Sequence, residues 1–402
     1  MSIPLQTPPM TASVNIWRPV VTLGITQIVG FGTLYYAFGV LVAPLSASLA
    51  ISTTQAYGAL SVALLMGSLL ARRFGRLVDR HGAGRMMALG SAGCALAFVA
   101  MAFVQNLWTL GLALIVLEIL APLVLYDAAF AGVAQAVGER RARRAITQMT
   151  LLGGFASTVF WPLTAGLLEF LDWRGVLLVF AGLHLGLCLP LHLSLPRSRQ
   201  DRAAPESAAP AFPPVPPLQA RRAMVFLATG FSLSWAVMAA FSAQWVPVMA
   251  ALGVSQAAAV TAGALMGPAQ VGARLLEMTF ATRRHPMETA LFAMICLVVA
   301  VAILIFVPVG AVSLAAFAIL FGIGQGLATM VRGTVPLALF GIDGYAERLG
   351  HLAALRMVIA ALVPFAMAWS IASLGIFTSL AIIGVLSLAS WAALVVVPRP
   401  KG

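Results

Sequence analysis

Charge is scarce in this chain. Only 9% of its 402 residues are Asp, Glu, Lys or Arg, 61% are hydrophobic, and mean hydropathy is +1.00. So little polar surface cannot cover a water-soluble body of this size, which excludes a soluble globular protein. Cysteine is nearly absent. Cys94, Cys188 and Cys296 fall in separate apolar runs, so they read as small buried residues and no disulfide is expected. There is no G-x-x-x-x-G-K-[ST] loop to cradle phosphates, which excludes direct ATP coupling of that kind. No Ser/His/Asp or paired-carboxylate constellation points to an enzyme. A cleavable leader is not expected either: residues 1–15 are polar and proline-bearing, and the first apolar run is too long for an h-region.

What the chain has instead is apolar length. Runs of 18 or more residues follow one another with short breaks, each able to cross a hydrocarbon layer of about 30 Å. The pattern predicts about twelve helical spans, near 17–43, 53–74, 84–104, 108–137, 146–168, 175–194, 223–249, 257–281, 286–306, 311–340, 350–371 and 376–397. The net charge of +12 does not signal nucleic acid, because its placement is one-sided. Eighteen of the 24 basic residues, from Arg18 and Arg76 to Arg399 and Lys401, fall at one set of span ends, while the opposite loops hold only Arg174. By the positive-inside rule both termini are expected in the cytoplasm of a multi-pass inner (plasma) membrane protein.

The sequence nearly repeats itself at an offset of about 203 residues. LSASLAIS (45–52) recurs as VMAALGVS (248–255), and Pro44 as Pro247. His81 and His285 end corresponding loops, and Gly138 and Gly341 close the fourth and tenth spans. This predicts an all-α membrane body of two six-helix units, residues 1–195 and 223–402, with a site between them. The joining segment 196–222 carries Pro205, Pro210, Pro213, Pro214, Pro216 and Pro217, and reads as a polar linker on the cytoplasmic side. Glycines in the spans, such as Gly24, Gly32, Gly322 and Gly326, permit close helix contact, and Pro122, Pro268, Pro336 and Pro364 predict kinks.

Between spans two and three the chain reads GRLVDRHGAGR (75–85). Gly75 and Gly82 suit a tight turn between antiparallel helices. Asp79 is placed to accept hydrogen bonds from a helix N-terminus and to pair with arginine. The segment closely resembles the signature loop of the major facilitator superfamily, G-x-L-x-D-R-x-G-x-x-R. Asp172-Trp173-Arg174 resembles that superfamily's G-W-R element. Residues 36–52 loosely resemble the first helix of its monocarboxylate and oxalate/formate-type branch. The resemblance implies a secondary transporter with a gating loop at Gly75, Asp79, Arg80, Gly82 and Arg85. Two departures stand out. Gln135 occupies a place often held by an acid, for which Glu139 is the expected substitute. The corresponding loop of the second half, TFATRRHPM (279–287), lacks the glycines and the aspartate, so a full latch is expected in the first half only.

Ionisable residues at membrane depth cost about 2.5–3.5 kcal/mol each on insertion scales and require a reason. Arg274 and Glu277 stand three apart on one helical face, which predicts a self-neutralised pair. Glu118 and Asp127 are nine apart, which on one continuous helix turns them to opposite sides. Asp127 maps by the repeat to Met330, two positions from Arg332. The resemblance implies that the fourth and tenth spans line the cavity from opposing halves, so Asp127 and Arg332 are the expected cavity charges. Asp127 or Glu118 would couple a proton, and Arg332 and Arg356 would hold an anion in a forked grip, with Tyr36, Tyr126, Trp235 and Gln325 as site wall. Five arginines at or near membrane depth favour a small organic anion as the solute. The expected energy source is a proton gradient, with no cofactor, and the partners are the solute and the bilayer, with the chain a monomer. Two other readings stay open: a proton-driven exporter of amphipathic compounds, and a non-transporting sensor or scaffold. The stripe His184, Cys188, His192 has metal-compatible spacing but lies on a helix that the fold makes peripheral, so no metal is expected.

Overall fold

In the computed structural model, residues 16–195, 213–280 and 284–398 are described. Residues 196–212 of the expected linker, with Arg197, Arg199 and Arg202, lie outside them, as do Arg283, Arg399 and Lys401. The first half comprises α1 (Trp17–Phe31), α2 (Ala37–Ser48), α3 (Thr53–His81), α4 (Ala83–Ala102), α5 (Leu107–Val124), α6 (Tyr126–Val137), α7 (Glu139–Gly153), α8 (Ala156–Leu167), α9 (Trp173–Leu183) and α10 (Leu189–Leu193). The second comprises α11 (Pro217–Ala251), α12 (Gln256–Gly263), α13 (Met266–Phe280), α14 (Pro286–Phe306), α15 (Ala311–Phe340), α16 (Tyr345–Leu374) and α17 (Ile376–Val395). Among the described residues, eleven helical stretches are long and apolar enough to cross a membrane. The remaining expected span, 257–281, is broken between α12 and α13. Pro268 has no N–H to bond Ala264 and its ring crowds that carbonyl, and the helix is interrupted there, at Ala264 and Leu265. α11 begins at Pro217, inside the expected linker, because proline is preset for the first helical turn.

The repeat is visible in the backbone. Gly138 and Gly341 both take left-handed conformations, with φ of 80° and 70°. Gly253 has φ of 79°, and its counterpart 203 positions earlier, Ala50, is the one described non-glycine residue with positive φ, at 52°. An alanine held where its repeat partner is glycine shows that the loop geometry is imposed by the two-fold body.

The halves meet along α3 and α16. An added Cβ on Gly75 would lie 2.2 Å from the Ala346 carbonyl oxygen, and one on Gly350 would lie 2.5 Å from that of Ala71. One glycine from each helix thus brings the two backbones into contact, the close approach that replaces hydrophobic driving force in lipid.

The fourth span is two helices rather than one. α5 ends at Val124, Leu125 is extended (φ −87°, ψ −172°), and α6 restarts at Tyr126. Gln27 of α1 donates its amide N–H to the Val124 carbonyl at 2.8 Å, serving a group the break has freed. Gln27 thus bridges the first and fourth spans. The break places Asp127 in the first turn of α6, where the helix dipole suits a carboxylate.

Candidate functional site

Two sets of charges join the halves. The first is at the end of the molecule that bears the 75–85 loop. Asp79 accepts from the backbone N–H groups of Ala346 (Oδ1, 3.0 Å) and Glu347 (Oδ2, 2.8 Å), the first turn of α16. The expected helix N-terminus is therefore its partner. The arginines nearby go elsewhere: Arg72 and Arg76 bond Glu347 Oε1 at 3.0 and 3.5 Å. Gly82, with φ of 84°, makes the turn from α3 to α4, while Arg80 and Arg85 are exposed. Gln135 accepts from Ala83 N–H (2.8 Å) and donates to Val78 O (3.4 Å), so it ties the loop to α6 with an amide where the superfamily often has an acid.

A further ionic contact joins the halves, from residues outside the 279–287 loop. Arg143 Nη2 of α7 meets Glu277 Oε1 of α13 at 2.7 Å, Thr147 donates to Glu277 Oε2 at 3.4 Å, and Arg143 also donates to the Arg284 carbonyl. The expected Arg274–Glu277 pair is absent. Arg274 instead donates to Thr150 O (2.9 Å) and Gly326 O (3.1 Å). Gly154 makes that reach feasible, since a Cβ there would sit 2.8 Å from the guanidinium. The signal missed was the repeat itself: the α3–α16 seam of one half predicts an α13–α7 seam in the other.

Midway along the seam lies the central cluster. Asp127 Oδ2 accepts from Arg356 Nη2 at 2.9 Å, and Asp127 Oδ1 stands 3.8 Å from Arg332 Nη2. The expected Asp127–Arg332 pair is thus a triad, with Arg356 the closer partner. The opposite-sides rule for Glu118 and Asp127 holds only on one continuous helix, and the break at Leu125 removes that condition. Arg332 is 7% exposed and lies over three rings, Tyr126 (5.9 Å), Phe130 (5.7 Å) and Trp235 (5.9 Å); Arg356 lies 5.4 Å from the Trp235 ring. Tyr126 and Phe130 stack at 5.2 Å. Phe130 was not expected from the sequence, although it is three residues from Asp127 and packs against its own repeat counterpart, Gly333.

The cluster is incompletely bonded: Asp127 Oδ1, the acceptor facing Arg332, has no hydrogen-bond partner among the described residues. Among the described residues Arg332 makes no conventional hydrogen bond, and the buried Nε of Arg332, Nε of Arg356 and Nε1 of Trp235 have no partner. Buried donors of this kind cost about 1–3 kcal/mol each when left unmade. Beyond the cluster, away from the latched end, Tyr35 is 59% exposed yet within electrostatic range of Arg356 and Glu118. Tyr36 packs edge-on against Trp161 at 5.8 Å. Both tyrosines lie on a wide π-helical turn, Gly32–Tyr36, that re-aims this face of the first span. Gln325 of α15 accepts from Gln270 of α13 (2.8 Å) and donates to Ser242 of α11 (3.1 Å).

Two repeated halves of spanning helices, joined by ionic latches around a buried charged cluster, define a multi-pass membrane transport protein and not an enzyme. A family model described as Major Facilitator Superfamily matches residues 23–359, and the chain belongs to that superfamily. Among solved structures it is similar to the human organic anion transporter MFSD10 (TETRAN), with 14% identity, a TM-score of 0.74, and coverage of 96% of this chain and 100% of that one. It is also similar to the proton:xylose symporter XylE (14% identity, TM-score 0.70, 96% of each chain). FucP in its outward conformation gives 12% identity and a TM-score of 0.70, over 95% of this chain and 99% of that one. At these identities the likeness concerns the fold alone. No curated protein matches the sequence.

Proposed function

We propose that the protein is a proton-coupled transporter of small organic anions, carrying a carboxylate-bearing solute by alternating access. The observation that supports this most is Arg332, a buried guanidinium with no hydrogen-bond acceptor and a carboxylate held just out of reach. A guanidinium fork is shaped for a carboxylate. Asp127 occupies the two arginines as an internal stand-in for the solute. Protonation of Asp127 weakens that hold and frees Arg332 and Arg356 for an incoming anion, so proton and anion bind together. The loose likeness of residues 36–52 to the monocarboxylate and oxalate/formate-type branch agrees with this chemistry. In this reading the latched end is cytoplasmic, with both termini there, and the arrangement is the outward-facing one of a monomer in the inner membrane. The latches argue against a static scaffold, which has no need of a releasable seam.

Reconstitution in liposomes with an imposed proton gradient tests the proposal. Uptake of members of a carboxylate panel, faster with acid on the side of entry, is expected. Movement of lipophilic cations alone would favour the amphipathic-exporter reading, and movement of nothing under any gradient would end the transport proposal.

A further inference from the structure

The central cluster binds one end of a solute; the structure also offers a place for the other. Gln325 and Arg332 are seven residues apart on α15, which puts them on one face about 10 Å apart along the axis. That face is the one that meets the first half, since Arg332 and Gly333 on it contact Asp127 and Phe130. α15 runs toward the latched end, so Gln325 lies on the opposite side of Arg332, at the level of the exposed residues.

Three helices contribute to this second place, and each amide is held. Gly326 brings α15 against α13, where an added Cβ would lie 2.8 Å from Gln270 Cα, and so sets the two glutamines side by side. The Gln270 amide donates to Gln325 Oε1, and the Gln325 amide donates to the exposed Ser242 hydroxyl. Each primary amide carries two N–H groups and a carbonyl with two lone pairs. One N–H on each amide, a second lone pair on Gln325, the Gln270 carbonyl and the Ser242 hydroxyl proton therefore remain to be used. Gln270 and Gln325 are half-buried and Ser242 is exposed, so the group is open to its surroundings. There is no charge in the group. A fixed, neutral array of donors and acceptors complements a hydroxyl, carbonyl or carboxamide, and gives nothing to a methyl group.

We infer that the Gln270–Gln325–Ser242 chain is a specificity subsite, and that the solute is an organic carboxylate bearing an uncharged hydrogen-bonding group roughly 10 Å from its carboxylate. This rests on the anion-binding reading of Arg332 and narrows it to a two-headed solute.

The test uses the purified full chain and two probe series: straight-chain monocarboxylates of about four to ten carbons, and the same acids with a terminal hydroxyl. The quantity read is the concentration of each acid that half-saturates thermal stabilisation. One hydroxy acid of intermediate length is expected to bind at least about tenfold more tightly than its plain counterpart. Gln325→Leu and, independently, Gln270→Leu should bring that ratio to about one. Gln325→Asn, which keeps the chemistry on a shorter arm, should shift the preferred length. Equal binding of the two series at every length in the unaltered protein, with both series lost in Arg332→Ala, would overturn the subsite while leaving the anion site standing. Binding of both series that is untouched by Arg332→Ala would overturn the two together.

Discussion

The fate of single charges decides how this protein is read. Arg332 differs from Arg274, which is equally buried but satisfied by two carbonyls. Satisfied donors hold helices; unsatisfied ones wait for a ligand. Arg332→Lys is expected to weaken carboxylate binding by about tenfold or more through loss of the fork, and Arg332→Ala to abolish it, as measured by the stabilisation assay. Asp127→Asn imitates the protonated carboxyl. It should preserve exchange of anion for anion across liposomes while eliminating accumulation against a gradient. Accumulation that survived would rule out Asp127 as the coupling group and point to Glu118, the other acid of the fourth span. Asp127→Ala carries a further cost, since removing one partner of a buried ionic group destabilises by about 3–5 kcal/mol. A lowered unfolding temperature relative to Asp127→Asn would register it.

At the scale of elements, the breaks matter as much as the helices. Hydropathy alone marked the fourth and eighth spans as single crossings, and the sequence pattern did place the loop, the repeat and the mid-membrane charges. It could not place the break at Leu125, because Pro122 predicts only a kink and nothing local announces an extended residue three positions later. That break turned the angular argument about Glu118 and Asp127, which holds only on a continuous helix. The pairing of Glu277 with Arg143 was hidden for a different reason: i, i+3 neighbours on a helix are legible from spacing, whereas a partner 134 positions away is set by how the halves dock. Asp79 was legible because its partner is a helix end, and helix ends accept any well-placed carboxylate. The Gln27 bridge supplies the test at this scale. Gln27→Leu leaves the Val124 carbonyl unserved and should destabilise the fold by about 1–3 kcal/mol, seen as earlier unfolding, and should also displace Asp127 enough to reduce proton coupling.

At the scale of the whole molecule, the two halves are held by two ionic seams in symmetry-like positions, Asp79 with the start of α16 and Glu277 with Arg143. Asp79→Asn keeps the shape and loses the charge, so it should lower transport turnover with normal membrane insertion. Cysteine accessibility on the two faces is expected to show the population shifted toward the state in which this end is open. Gly75→Leu should act more severely, because it drives a side chain into the Ala346 backbone and keeps the seam from closing at all.

The helix α16 carries both of the first half's acidic contacts: Asp79 grips its first turn, and Asp127 grips Arg356 some ten residues, or about 15 Å, further along. A rigid rod fastened at two points cannot pivot until both fastenings let go. Neutralising the inner one alone lowers the barrier without opening the end, and opening the end first strains the inner one. Under the proposed function the arrangement is an interlock: exchange of the solute for Asp127 would be reported along the rod to the gate, so a leak of protons without cargo would have to break two bonds where the productive cycle replaces one of them with the cargo itself.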